Sequence, residues 1–389
     1  PELYPYNCTK YAPALLELIS LRQDFAAGRE YDGERISALY TLLKAEIGES
    51  ALEALLTGRE KARVPLAGEM YFASDASPTL LETYFACPYR SFVARALRLR
   101  EREERTVLDT DAGTFVHTVL ERVAVGFNGF RDEAECRARA VAVGKELLAS
   151  PRFASLTDTG AGAYTGGRLV EEGAAASAAA YRQLAASGFR VRDAEVRLSL
   201  PELGMSGTAD RVDEAGEYVR VIDYKTGETD DSVSAYYTGR KLQLQLYLLA
   251  AAEGGKAAGA FYFPAADEFT KTTEEKYRMS GFFSGEDEVL SLMAPARKEG
   301  EKSAFFEGGG RTEKGMPQSD FESFLDYARL VSARAEEEMK GGNVAPSPYE
   351  GVCSYCKCLG ACGFTGTPRK EDSVRCGDIV KIVAKEGEV

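Results

Sequence analysis

The sequence has no tryptophan and a single histidine, His117. A lone imidazole excludes a multi-histidine metal site and leaves little basis for a histidine-driven hydrolase. Hydrophobic residues make up 44% of the chain, ample for a core. Even so, no apolar run approaches the roughly 18 residues that mark a membrane span. No secretory leader pattern opens the chain. A Gly-x4-Gly-Lys-Ser/Thr phosphate loop is also missing, so any ATPase has to lie upstream or in another chain. These absences predict a cytoplasmic protein with no membrane partner. The chain opens on Pro1 rather than Met, which reads as a piece of a longer protein. Positive charge is in deficit too: the formal net charge of −13 argues against a nonspecific nucleic-acid coat. Local stripes matter more than totals, however. One such stripe, Arg90, Arg95, Arg98, Arg100, Arg102 and Arg105, lies within CPYRSFVARALRLREREER. It reads either as a DNA contact or as a solvated helix face neutralised by Glu101, Glu103 and Glu104.

What is present is concentrated in GTADRVDEAGEYVRVIDYKTG, residues 207 to 227. Apolar and polar residues alternate on either side of a polar turn at Glu214, Ala215 and Gly216, the pattern of a hairpin. Side chains two apart share a strand face, so Val219, Val221, Asp223 and Lys225 line one side. Asp210 comes level with them when the strands pair. Two carboxylates and an ammonium at the end of an apolar ladder are costly unless they bind something. A hard divalent ion such as magnesium takes oxygen ligands of this kind. A surface hairpin with an i,i+2 salt bridge is the plainer alternative.

His117 sits on the amphipathic helix GTFVHTVLERVA. There it is either a packed core residue or an imidazole brought to a metal held by the two aspartates, with Glu121 one turn on as its partner or, more plainly, a surface glutamate. Gln243 and Tyr247 share a helix face at i,i+4 spacing. Gln243 is placed to bond a phosphate or orient Lys225, and Tyr247 to stack or donate its hydroxyl. Glu195, on the strand before the hairpin, is a further candidate. The chain has eight cysteines, and Cys353, Cys356, Cys358 and Cys362 fall in one short run. In a chain without secretory signals this points to metal or cluster chemistry more than to disulfides. Both zinc and iron–sulfur clusters accept four thiolates.

Residues 1–69 read as a helical adaptor, 70–366 as the main domain and 367–389 as a tail. The main domain runs helix, three strands, helix, strand: an α/β class with a small mixed sheet flanked by helices. TDTGAGAYTGG and EGEKSAFFEGGGRTEKGMPQS read as loops.

Seven stretches taken in order carry a family likeness: SPTLLETYFACPYRSF, GTFVHTVLERV, GTADRVD, VIDYKTG, QLQLYLL, GAFYFPAADEF and CSYCKCLGACGF. Residues from about 70 to 365 resemble the C-terminal nuclease domain of AddB-type helicase–nuclease subunits, in the RecB-like branch of the PD-(D/E)xK nucleases. The resemblance implies a restriction-endonuclease-like core and a Mg2+- or Mn2+-dependent deoxyribonuclease (exonuclease) acting on single strands. Its partners would be DNA and a helicase–nuclease subunit, and its setting double-strand-break processing and recombinational repair. It implies His117, Asp210, Asp223 and the backbone carbonyl of Tyr224 as metal ligands. Lys225 would be the catalytic lysine, Gln243 and Tyr247 the Gln-x3-Tyr motif. Cys87, Cys353, Cys356 and Cys362 would hold a 4Fe–4S cluster, with zinc as the alternative. Arg90, Arg95 and Arg98 would contact DNA. Cys358 lies outside the pattern, and Cys8, Cys136 and Cys376 read as bystanders. Two other readings stand beside this one. The first is a nuclease-inactive DNA-binding scaffold of such a complex. The second is a stand-alone RecB-like nuclease of the CRISPR-adaptation type, against which the long insertion between His117 and Asp210 argues.

Overall fold

The computed structural model describes residues 12–26, 28–56, 63–72, 75–99, 109–156, 160–227, 230–265, 276–295, 303–308 and 315–386. Cys8, Arg100, Arg102 and Arg105 lie outside them. The described residues fall into two packed units, one drawn from 1–102, 238–240 and 332–373, the other from 103–237, 241–331 and 374–389.

The second unit is built on a six-stranded mixed sheet in the order β1-β2-β3-β4-β5-β6. Its strands are β1 (Arg190–Leu200), β2 (Met205–Ala215), β3 (Tyr218–Lys225), β4 (Lys256–Pro264), β5 (Met279–Phe283) and β6 (Phe306–Gly308). β1, β2 and β3 run antiparallel, and β3 and β4 run parallel. The hairpin closes between Ala215 and Tyr218, one residue beyond the polar turn read from the sequence. Gly216 supplies the positive φ (+60°) this tight reversal needs. The parallel β3–β4 pair requires a crossover, which the helices Val233–Tyr237 and Gln243–Ala251 provide. β3 and β4 are the central strands; β4 is aromatic and small almost throughout, while β3 carries Arg220, Asp223 and Lys225 among its apolar residues.

One sheet face packs on three helices, Asp109–Ala124, Glu133–Leu148 and Gly160–Ala185, around Phe115, Val119, Ile222, Phe261 and Phe283. The last helix corrects the loop expected over TDTGAGAYTGG: residues 160–167 are helical, and 157–159 lie outside the described residues. Gly166 is buried, and a Cβ there would come within 3.2 Å of both Leu148 methyls. The glycine allows close helix packing where composition suggested flexibility. The second expected loop is corrected over 306–308; its residues 299–302 and 309–314 lie outside the described residues. Phe306–Gly308 pairs with β5, because Phe306 packs against Phe261 and Phe283.

In the first unit, Ala12–Ala26, Gly33–Ile47 and Glu49–Leu56 share a small leucine core. The helix Pro78–Ala86 starts at Ser77, whose hydroxyl accepts from the Leu80 amide. It ends at buried Cys87, ahead of Pro88. Three hydrogen bonds join this segment to residues 349–369: the Tyr349 amide and the Arg369 guanidinium donate to the carbonyls of Ala86 and Phe85, and the Tyr89 hydroxyl to that of Ala361.

Candidate metal and phosphodiester site

The β2–β3 register pairs Arg211 with Ile222, so the next step puts Asp210 opposite Asp223 at the end of the hairpin. Asp223 is only 1% exposed. Lys225 Nζ lies 2.6 Å from its Oδ2, and Gln243 Nε2 donates to its Oδ1 at 2.6 Å. Burial and the nearby Asp210 charge push the Asp223 carboxyl up to about 6, although Lys225 favours its ionised form. Gln243 thus holds the Asp223 carboxylate in place. Tyr247, one turn on, packs over Gly207, where a Cβ would come 2.7 Å from both Cε1 and the hydroxyl oxygen of the tyrosine. The glycine of GTADRVD is thus the floor under this ring.

Asp210 Oδ2 accepts from the Tyr224 amide at 2.6 Å and lies 2.9 Å from His117 Nε2. The other ring nitrogen, Nδ1, meets Glu121 Oε1 at 2.6 Å. Burial works against the imidazolium, but the two carboxylates outweigh it and push His117 up to about 10. The helix that carries His117 is seated by Gly113, where a Cβ would come 2.6 Å from Thr226 Oγ1. That contact ties GTFVH to YKTG. Glu195, in β1, hydrogen-bonds Glu121; this bond and burial push Glu195 up to about 7. Its backbone is left-handed (φ +51°) within the strand. A non-glycine residue in that conformation costs about 1–3 kcal/mol and is a recurrent mark of functional sites.

The ligand atoms of His117, Glu121 and Asp210 lie within 4.8 Å of one another. This trio has Glu121 where the resemblance implies Asp223, because Lys225 and Gln243 pin the Asp223 carboxylate. The donor set suits a hard divalent cation. Asp210 and Asp223 oppose each other in a buried setting where the Asp210 charge disfavours ionisation of Asp223, and oxygen donors are what such an ion takes. The structure brings His117, Glu121, Glu195, Asp210, Asp223, Lys225 and Gln243 into contact here, while Tyr247 meets Gly207 of β2.

The cysteines form a separate cluster in the first unit. Cys353 is buried, its thiol pushed up to about 11 by burial and by neighbouring Cys356, Cys87 and Cys362. Cys358 hydrogen-bonds Cys356, making a fifth nearby thiol. Soft sulfur donors in this number fit an iron–sulfur cluster or zinc. In the same unit the Arg90 guanidinium stacks over Tyr355, 4.9 Å from the ring centroid. Arg95 lies in the π-helical turn Phe92–Ala96, and Arg98 follows it with φ +54°.

Sequence reasoning missed a buried trio behind the hairpin. Asp213 is flanked by Arg211 and Arg220, whose Nε atoms lie 3.0 and 2.9 Å from its two oxygens. All three are at most 1% exposed.

Comparison with known proteins adds the following. A sequence model of the PD-(D/E)XK nuclease superfamily matches residues 75–363. The B-type subunit of an ATP-dependent helicase/deoxyribonuclease from Clostridioides difficile is 24% identical over 92% of this chain and 37% of its own length. Proteins of the same name from Symbiobacterium thermophilum and Desulforudis audaxviator are 29% and 30% identical. They cover 79% and 74% of this chain, and 30% and 29% of their own lengths. The chain thus spans about a third of the length of the curated relatives it matches.

Proposed function

The chain belongs to the PD-(D/E)XK nuclease superfamily, and from that premise we propose that it hydrolyses DNA phosphodiesters as the nuclease end of a helicase–nuclease subunit. The observation that carries this reading is the meeting of Asp210, Asp223 and Lys225 at one end of the β2–β3 hairpin, with His117 and Gln243 in hydrogen-bond contact with the aspartates. His117, Asp210, Asp223 and the Tyr224 carbonyl would hold Mg2+ or Mn2+. When bound, the ion supplies positive charge beside the scissile phosphate and makes water a stronger nucleophile. Lys225 orients the attacking water and faces the charge that builds on phosphorus. Water adds to phosphorus, the P–O3′ bond breaks, and a 5′-phosphate and a 3′-hydroxyl result. Gln243 holds Asp223, Glu121 fixes the tautomer and tilt of His117, and Tyr247 buttresses β2 at Gly207.

Cys87, Cys353, Cys356 and Cys362 would hold a 4Fe–4S cluster linking segments far apart in sequence, and Arg90, Arg95 and Arg98 would contact the strand. The matched relatives' name includes a helicase, and this sequence has no Walker-type loop. We therefore assign the ATP-driven step to other parts of the whole protein or to a partner subunit. The setting is cytoplasmic processing of broken DNA ends ahead of recombinational repair. No described helix is long and apolar enough to cross a membrane.

The test is cleavage of end-labelled single-stranded DNA in Mg2+ or Mn2+ by the wild type and Asp210→Ala. Cleavage by the wild type that disappears in the variant supports the reading. DNA bound but left uncut by the wild type under both ions would replace it with a scaffold role.

A further inference from the structure

A cleft of about 560 Å3 opens beside His117, lined by Thr114, Glu121, Arg122, Arg152, Glu195 and Thr226 among others. Its size is in the range of ligand-binding clefts. The metal-site reading uses His117 and its carboxylate partners and gives Arg152, which also lines the cleft, no role beyond favouring the Glu121 carboxylate. Arg152 lies in the insertion between the His117 helix and the hairpin, in a stretch where the sequence shows no motif. Its guanidinium stacks over the ring of Phe153, 5.2 Å from the centroid. Phe153 is buried and packs edge-on against Phe115 at 5.2 Å, two residues before His117 on the same helix. The arginine is thus held in place relative to the imidazole by two aromatic contacts. The carboxylates in the cleft are engaged, Glu121 with His117 and Glu195 with Glu121. Arg122 pairs with Glu146 at 3.4 Å. Arg152, by contrast, makes no ion pair with any described residue, and it is exposed on the cleft wall. A planar, permanently charged donor fork of this kind matches a phosphate.

Resting on the nuclease reading above, we propose that Arg152 binds a phosphate of the DNA strand, that of a nucleotide adjoining the scissile one. The cleft then sets the path of the strand past His117, and the insertion contributes to substrate grip rather than to chemistry.

The test measures binding of a fluorescein-labelled oligo-dT to the full chain by anisotropy in Ca2+ over a series of KCl concentrations. Steady-state cleavage in Mg2+ is measured in parallel. Wild type, Arg152→Ala and Arg152→Lys are compared. Losing one contact to a single-stranded phosphate lowers the slope of log K against log salt by about 0.7. Arg152→Ala should show that drop, with KM raised about tenfold and kcat unchanged, and Arg152→Lys should recover most of the slope. A slope in Arg152→Ala equal to that of the wild type would overturn the assignment. So would a fall in kcat at constant KM, which would mean that Arg152 acts on Glu121 and His117 instead. Both of those outcomes leave the nuclease reading intact. A wild type that neither binds nor cuts DNA removes both.

Discussion

His117 Nε2 and Asp210 Oδ2 lie 2.9 Å apart across 93 positions of sequence, and Glu121 holds the other nitrogen, Nδ1, of the same ring. Two carboxylates on one imidazole make a strong proton trap, which places His117 at about 10 in the metal-free chain. A metal ion taking Nε2 has to displace that proton. Metal binding at pH 8 should therefore release about one proton from His117, read by calorimetry in buffers of different ionisation enthalpy. His117→Ala should release none. An identical proton count in the two proteins would mean that the imidazole is not a ligand.

The same values fix the direction of two pH effects. The folded pKa of His117 is raised above its ordinary 6.5. Its contribution to stability is therefore fully present below pH 6.5 and is lost as pH rises through about 10. In EDTA the Tm should fall over that window, by roughly 1 °C per kcal/mol lost in a chain of this length, and His117→Gln should flatten the decline. Asp223 acts on stability in the same sense, over a lower window. Its carboxyl is raised to about 6, so its burial costs stability as pH climbs from 3.8 through 6. Its availability to a metal falls below about pH 6. Apparent Mn2+ affinity should drop about tenfold per pH unit there from this one proton. Titration of Mn2+ binding by electron paramagnetic resonance checks this.

Gly207 and Tyr247 supply a stability test. A methyl at Gly207 would overlap the tyrosine ring, and overpacking of this kind costs about 1–3 kcal/mol. Gly207→Ala should destabilise by that amount in urea and reduce cleavage by displacing β2 next to Asp210. In a Tyr247→Ala background the same change should be nearly neutral, because contacting residues do not add independently. Additive effects would show that the ring and the glycine are not in contact.

The parts of this site that were legible in the sequence are those where local pattern and position coincide. Asp223 and Lys225 share a face because strand alternation demands it, and the turn at Gly216 sets Asp210 opposite. Gln243 and Tyr247 were readable as an i,i+4 pair, although the contacts each makes were not. Glu121 was readable only as an i,i+4 neighbour of His117, a spacing that a surface glutamate shares. Other features depend on long-range packing with no local trace. The glycines of residues 160–167 read as a loop, because nothing local says that Leu148 needs the space. Phe306 became a strand residue only once Phe261 and Phe283 offered it a pocket. Arg152 lies in an insertion with no motif, and its position depends on Phe153 meeting Phe115.

The cysteine cluster separates its members by contact. Cys353 is buried amid Cys87, Cys356 and Cys362, whereas Cys358 is tied to Cys356. Protein purified without oxygen should be brown with broad absorbance near 400 nm. Cys353→Ser should abolish that absorbance and Cys358→Ser should leave it. Colourless protein with one stoichiometric zinc would replace the iron–sulfur assignment. Loss of colour in Cys358→Ser with retention in Cys362→Ser would exchange those two thiols as ligands.

The buried trio behind the hairpin predicts an asymmetry among its own members. Asp213 answers both Arg211 and Arg220, while Arg211 also leans on the Tyr224 hydroxyl and Arg220 on the Phe189 ring. Removing the aspartate leaves two guanidinium charges in the core with only weak partners. Removing Arg220 leaves a matched Arg211–Asp213 pair. Breaking a buried ion pair by deleting one partner costs about 3–5 kcal/mol, so Asp213→Ala should lie at or above that range. Arg220→Met should cost clearly less, because a neutral side chain of similar length fills the space and the remaining charges balance. Denaturant unfolding of both variants in EDTA measures the difference apart from any metal effect. Equal losses would mean that packing volume, rather than charge balance, sets the contribution of this network. A larger loss for Arg220→Met would mean that Arg220, and not Asp213, is its centre.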